Sequence, residues 1–588
     1  MTNNRLLTKV MGLAKGVLPF YLLTLIPLCA SAQSKNVTVD AVGQLSTQIG
    51  NDEKFKISEL KISGPLNSAD IKLFQQIVNR TKANEKKGEC VVTSVDISEA
   101  VFTEGKTPVP TNTLPNGLFQ GASKLTKVVL PSGITSLGKS CFEDCSSLTE
   151  VQIPESVTIL DSETFKDCGS LVSVTIPGSV TELGDEVFEN CKSLTQIDIP
   201  EGVNTIGKQA FNGCKALSTI NINAKLKAID NTTFKGCESL SSITLPESVK
   251  SIGTDAFRDC KNLSTVELSE ETEEIGNSAF EDCESLSQID LTKVQKVGSN
   301  AFEDCKSLTA ASFDKLSKLG SGAFKNCVAL NNVAIEGSID EIGSNTFQGC
   351  TSLATVNIPA TVKNIGNSAF EKCQSLGQID LPTSLTKIGS EAFKECAALR
   401  QVVVPTMVKN IGSSAFEGCV TLDSVAINGM ITEIDSKMFY RCNALRYAIL
   451  PASVKKIESH AFQECTSLQS IDLPVSLTSI GDDAFEKCSS LQSIKLPVAV
   501  TSIGSDAFLE CTMLSKVELS TALKKIGGSA FAKCPSLKEV ILNSPAPPSI
   551  SKSTFKGSLP AYVIPRGSLP VYIAHKDWKS ITGYREKQ

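Results

Sequence analysis

Hydrophobic positions along this 588-residue chain recur with a fixed period, and IGNSAFEKCQSLGQIDLP, residues 365–382, is one turn of the pattern. Phenylalanine marks it. From Phe119 to Phe555 the marker returns every 23 residues, with two steps of 22 around Phe302 and Phe324 and a last step of 24. Each unit reads roughly I-G-x-x-A-F-x-x-C-x-S-L-x-x-I-x-L-P-x-x-V. So short a unit carries too little apolar surface to close a core, and neighbours must stack to bury it. Within the unit, SLGQIDLP alternates apolar and polar residues up to a proline, the pattern of a short strand with one buried face. Leu376, Ile379 and Leu381 are predicted to point inward, Gln378 and Asp380 outward. Pro382 has no N–H to give and ends the strand. Parallel pairing of successive strands at about 4.8 Å gives an array roughly 90 Å long. The position of Gly366 holds Asp161, Asp230 or Asp435 in other units, which points to a left-handed turn that both residue types tolerate; Glu458 fits less well. The predicted fold is an α/β repeat solenoid of about 20 units with one parallel β-sheet.

An open stack exposes a core and a strand edge at each end and needs caps. Residues 33–114 suit the first: VTVDAVGQLSTQI, a helix-patterned stretch ending in LNSADIKLFQQIVNR, then the strand-like VTSVDIS, with no marker Phe in register. The repeats fill 115–558. Residues 559–588 break the period and gather Tyr562, Tyr572, Trp578 and Tyr584, bulky enough to plug a terminal core; the alternative for these aromatics is a separate binding role.

Eighteen cysteines, Cys145 through Cys534, each lie three residues after a marker Phe, so stacking gathers them into one internal column. Their spacing, near one strand separation, falls within the Cα range of disulfides, and distance alone allows bridges. Direction argues the other way, because Cβ vectors on neighbouring rungs run parallel and pairing alternate rungs would break the equivalence of the units. Free packing thiols are therefore expected, against the habit of exported proteins. Zinc needs converging clusters, and the chain offers only the CxxxC of Cys141 and Cys145. Cys90, outside the column, is either a free thiol or an extra rung.

Export itself is read from residues 1–32. Arg5, Lys9 and Lys15 precede the apolar GVLPFYLLTLIPL, and Ala-Ser-Ala at 30–32 suits cleavage after Ala32. Cys29 follows Leu28 rather than a small residue, so lipidation is not expected. Loss of the three cations takes the formal charge from −6 to −9. That acidity argues against nucleic acid as a partner. No later stretch is long and apolar enough to span a bilayer.

The chain is not stocked as an enzyme. His460 replaces the usual Ser of a turn, His575 lies in the C-terminal region, and adjacent carboxylates such as Glu143 and Asp144 suit a solvated turn. No Ser-His-Asp order, phosphate loop or metal cluster is present, and no cofactor is implied. Two-carboxylate glycan hydrolysis stays open on sequence, since any outward Asp or Glu has the chemistry for it.

The many copies of I-G-x-x-A-F-x-x-C-x-S-L-x-x-I-x-L-P resemble the BspA-like leucine-rich repeats of bacterial surface and secreted proteins, over roughly residues 115–565. LKISGPLNSADIK and YVIPRGSLPVY resemble segments that flank such arrays. The resemblance implies a right-handed solenoid with a parallel sheet on one side. It implies adhesion or binding of host or bacterial macromolecules, secreted or at the cell surface, with no chemistry. Its motif residues are scaffold, so it carries over no binding residue. The chain departs from the pattern where Pro gives way to Thr292, Glu336 and Asn428.

Most outward strand positions hold Ser, Thr, Gln, Asn or Asp, as a solvated sheet face would. One region departs from this. The outward pairs become Gln401 and Val403, Ser424 and Ala426, then Tyr447 and Ile449. Tyr440, Arg400, Arg441, Arg446, Met407, Met430 and Met438 fall in the same stretch. Tyr, Arg and Met are enriched at interfaces, and an apolar outward patch is unusual on a monomer. Val403, Ala426, Tyr440, Arg446, Tyr447 and Ile449 are the candidate contact residues for an extracellular or cell-surface protein. Against this stands drift in a tolerant repeat, with the methionines in the core. A glycan partner would depend instead on the Asn, Asp and Gln columns, and a third reading is a structural surface component with no specific ligand.

Overall fold

The marker phenylalanines set the geometry. In the computed structural model, which describes residues 32–79, 92–103 and 111–588, their rings form one column from Phe119 to Phe555. Successive centroids lie 4.9–5.7 Å apart with planes within 20° of parallel. Offset stacking at this distance adds to what burial of each ring contributes. The expected signal segment up to residue 31, with Cys29, and Cys90 lie outside the described residues.

Around each marker from Phe119 to Phe531 the backbone takes a left-handed conformation twice, two residues before and two after: Ser140 and Asp144 flank Phe142, Ser368 and Lys372 flank Phe370. Alternating hand turns every second N–H the same way. The N–H groups of Ser140, Phe142 and Asp144 thus donate to the carbonyls of Ser162, Thr164 and Lys166 in the next turn, at 2.8–2.9 Å. These tight turns occupy the place an α/β reading assigns to helices. The helices among the described residues, Leu45–Gln48, Ser68–Val78 and Leu569–Ala574, all lie outside the repeats.

The glycine column needs a correction. Gly366 and its equivalents are not left-handed; a Cβ on Gly366 would lie 2.4 Å from the backbone nitrogen of Ser344 in the preceding turn. Close approach between turns, not the sign of φ, is the constraint there.

Two parallel ladders flank the ring column. One is the expected sheet, with strands such as Gln196–Ile199 and Gln401–Val404 alternating buried and exposed residues. The other is built of two-residue strands just before the glycine column: Ser136–Leu137, Ile159–Leu160, Glu182–Leu183 and Thr205–Ile206 pair in register, turn upon turn. Two residues are too few to show alternation, so the period reveals the stack and hides this ladder.

The expected sheet is also interrupted. At 378–380 the side chains alternate as predicted, Ile379 buried and Gln378 and Asp380 exposed, although Leu381 is only half-buried. Yet no ladder bond reaches this turn. Thr355–Asn357 pairs back to Asn332–Ile335, and Gln401–Val404 pairs forward to Ser424–Ile427. The turn of Ile471 is likewise without a strand, and that of Ile289 keeps a single bridge, Thr265 to Gln288. These three turns without a strand of their own are 90 and 92 residues apart, four turns in each case. Nearer the N-terminal end the ladder also breaks between Lys127–Val129 and Glu150–Val151, between Ser173–Val174 and Gln196–Ile199, and between Thr219–Ile222 and Ser242–Thr244.

The cysteines are packing groups. The nineteen described ones are unpaired and buried, and all eighteen rung thiols donate to the carbonyl of the preceding turn's marker Phe at 3.0–3.3 Å. Burial pushes the thiols of Cys214 and Cys419 up to about 12. A side chain this small fits beside the rings and gives a second donor to a carbonyl that already accepts a backbone N–H within its own turn, as Phe142 does from Cys145.

Aromatic contacts finish both ends of the column. Phe74, on the helix Ser68–Val78, packs edge-on against Phe119 at 5.6 Å. That helix starts at a capping box of Asn67 and Asp70, and the buried Asp70 also accepts from the N–H groups of Gly43 and Leu45. Strands Gln33–Thr38, Ile57–Leu66 and Ser94–Phe102 run parallel and lead into Lys127–Val129. At the other end Phe555 meets Tyr562 edge-on at 5.3 Å. Trp578 and Tyr572 are fully buried, and the Trp578 indole donates to the carbonyl of Pro548 at 2.6 Å. Ala561–Ile564 and Tyr584–Glu586 extend the sheet.

Candidate functional site

Three paired strands carry the apolar face. Parallel register aligns Gln401, Ser424 and Tyr447 in one outward row and Val403, Ala426 and Ile449 in the next. Between the rows Val402, Val425 and Ala448 point into the core. The large outward side chains are exposed: Val403 by 59%, Tyr447 by 53% and Ile449 by 64%.

The face continues over the edge of the sheet. Seven turns carry a Ser or Thr just before the next buried residue whose hydroxyl donates to a carbonyl of the preceding turn, as Ser384 does to Val362 and Ser453 to Ile431. Met407 and Met430 hold this place in two adjacent turns. They have no hydroxyl to donate and stand 52% and 61% exposed. Only Met438 occupies the core where the alternative reading put all three.

An internal comparison shows that the fold does not require this apolar face. One four-turn block earlier, strands Ala310–Phe313, Asn332–Ile335 and Thr355–Asn357 form the same three-stranded arrangement between interruptions. There the outward rows read Ala310, Asn332, Thr355 and Ser312, Ala334, Asn357, and Thr355 donates to the Asn332 side chain at 2.8 Å. Tyr447 and Ile449 thus stand where the earlier block has Thr355 and Asn357.

Charge frames the patch at one edge. Arg446 pairs with Asp423 at 3.3 Å on the surface, a contact worth at most about 1 kcal/mol. Arg400, two turns before Arg446, has no ion-pair partner among the described residues. Tyr440 is not brought to this face. It follows Phe439 in the tight turn, where its ring lies 4.9 Å from the Arg441 guanidinium and 5.9 Å from the Lys437 ammonium.

Next to the patch, the interrupted turn leaves a cleft of about 610 Å³ between residues 377–383 and 400–406, with Asn428 at one end. Sequence reasoning missed it. The alternation of SLGQIDLP is the same whether or not its backbone bonds to a neighbour, and the only signal is the four-turn recurrence of Ile-Asp-Leu. The histidines do not gather a catalytic set: His460 sits in a left-handed turn, Nδ1 2.9 Å from Gln463 Oε1 and 3.7 Å from Asp483 Oδ2, while His575 lies at the C-terminal end of the helix Leu569–Ala574.

Turns of this sequence and geometry define a leucine-rich-repeat solenoid. A family profile described as BspA type leucine rich repeat region (6 copies) matches residues 112–241, 227–351, 317–446 and 432–560. The chain belongs to that BspA-type family. None of the curated proteins compared with it matches. Similar solved structures include a leucine-rich repeat protein of Bacteroides ovatus, 24% identical, covering 84% of this chain and 92% of its own, with a TM-score of 0.33. A leucine-rich cell surface protein of Faecalibacterium prausnitzii is 24% identical over 70% of this chain and 91% of its own, TM-score 0.27. A leucine-rich repeat protein of T. pallidum is 30% identical over 35% and 75%, TM-score 0.22. The family is one of surface proteins and generally of binding scaffolds rather than enzymes. No helix among the described residues is long and apolar enough to cross a membrane.

Proposed function

We propose that this chain is an exported, adhesin-like binding protein that engages a host or bacterial surface protein through the face of Val403, Ala426, Tyr447 and Ile449, widened by Met407 and Met430. The observation that carries the reading is the contrast between two equivalent three-stranded faces, polar at Ser312, Thr355 and Asn357 and apolar at Val403, Tyr447 and Ile449. Uncovered, such a patch is a liability in water; covered, its aromatic and aliphatic residues supply most of an interface's affinity. Arg446 stands at the rim, where charge sets orientation and rate of encounter more than strength. Tyr440 is left out of the contact surface.

The test exchanges the patch for its internal counterpart, Tyr447→Thr with Ile449→Asn. Immobilised extracellular-matrix and bacterial surface proteins should be captured by the parent and at least tenfold less well by the double variant, as expected for hot-spot side chains worth about 2 kcal/mol or more. The melting temperature should stay within about a degree, because both side chains are outward. Equal capture by parent and variant would sink the site.

A further inference from the structure

The cleft beside the patch is built differently from its own internal counterpart, and the difference points to a ligand class. In the earlier block the corresponding cleft is about 210 Å³, bounded by 287–291 and 309–312. There Asp290 is occupied: its carboxylate accepts from the N–H and hydroxyl of Thr292 at 2.9 and 2.8 Å. In the larger cleft the residue equivalent to Thr292 is Pro382, which has neither group to offer, and Asp380 keeps only a long contact from Gln378 at 3.3 Å. The facing wall changes as well, with Arg400 and Gln401 standing where the earlier block has Thr309 and Ala310. Neither side chain has a hydrogen-bond partner among the described residues, and the Asn428 side chain has none either.

The backbone adds to this supply. Among the described residues the N–H groups of 378–381 find no acceptor, and Gln401–Val404 is a sheet edge on its cleft side. Open polar groups of this kind are held by water until a ligand with matching groups replaces it. A net anion meets Asp380 and a net cation meets Arg400, so charge favours neither. An apolar ligand would strip water from these open polar groups for no return.

We infer that this cleft binds a neutral oligosaccharide. Carboxylate, amide and guanidinium groups each present paired donors or acceptors that match vicinal hydroxyls, and Val403 offers a contact for the C–H face of a sugar ring. Its volume falls in the range of small-molecule sites, on the order of 300–1,000 Å³. The inference is independent of the protein-binding reading except for the shared Val403.

The test is an array of neutral oligosaccharides and of sialylated and sulfated ones, followed by titration calorimetry of the full chain with the best neutral probe and with glycylglycine. Arg400→Thr with Gln401→Ala rebuilds the earlier block's wall, and Asp380→Asn removes the charge while keeping its shape. The expected result is retention of a neutral probe, weakened by roughly tenfold or more in the wall variant and unaltered by Tyr447→Thr with Ile449→Asn. Retention of charged glycans only, preference for the zwitterionic dipeptide, no retention at all, or equal binding by the wall variant would each overturn it. Loss of protein capture in the Tyr447/Ile449 variant alone would leave this cleft unaffected, so the two readings fail separately.

Discussion

Asp282 follows its marker phenylalanine at the second left-handed position of a turn, and the turns on either side put Asp259 and Asp304 in the same place. Burial pushes its carboxyl above the usual range, and the charges of Asp259, Asp304 and Glu284 push it further, with Arg258 acting against them. A carboxyl raised on folding contributes stability that is fully present below its unfolded pKa and is lost as pH rises through its folded pKa. Asp282→Asn keeps the side-chain shape and its tolerance of left-handed backbone. The variant should therefore melt above the parent at pH 7, with the gap closing near pH 4 and below. A gap that does not change with pH would show that the effect is not one of charge.

At the scale of the element, the cysteine column joins one turn to the next by a weak donor in a dry interior. Iodoacetamide should label none of the nineteen buried thiols in the native chain and all of them once guanidinium unfolds it without reductant, read by mass spectrometry of the peptides. A rung that stays unlabelled after unfolding is in a disulfide, and the packing account fails there.

Much of the element was legible in its residues. Ile379 faces inward and Gln378 and Asp380 outward, as the alternation of QIDL requires, and Leu376, ahead of the alternating stretch, is buried as its apolar character predicts. What alternation reports is which way a side chain points. Whether the backbone also bonds to the next turn is a separate matter, so the interruption at 378–380 went unseen. The left-handed positions were misplaced for a related reason. Lys372, Glu163 and Arg441 occupy them, and such residues give no sign of a conformation that the ladder of N–H groups imposes from outside. In the patch, the outward rows of Val403, Ala426, Tyr447 and Ile449 were readable because period 2 and period 23 fix both coordinates on the sheet. Tyr440 was drawn in only by nearness in the chain.

For the whole molecule, each turn touches only its neighbours, so stability is a sum of local terms and the ends are where it is weakest. Trp578, buried against Tyr562 and Tyr572 and bonded to the Pro548 carbonyl, closes one end. Trp578→Ala should cost about 3–5 kcal/mol, the usual range for truncating a buried aromatic. Because the array is one-dimensional the loss should be local: hydrogen exchange should quicken in the turns of Phe531 and Phe555 and leave those around Phe370 unchanged. Uniform quickening along the array would mean that it unfolds as one cooperative body.

The interruptions at Ile289, Ile379 and Ile471 carry a consequence for how such a chain changes in length. Equal spacing makes the stretch from one seam to the next an interchangeable cassette, and each seam presents the same Ile-Asp-Leu junction. Unequal recombination between two cassettes would add or delete about 19 Å of sheet at four strand separations, leaving both ends and every remaining junction as they were. A gene of this kind can alter the reach of its product, and the number of faces it displays, in a single event that poses no new folding problem.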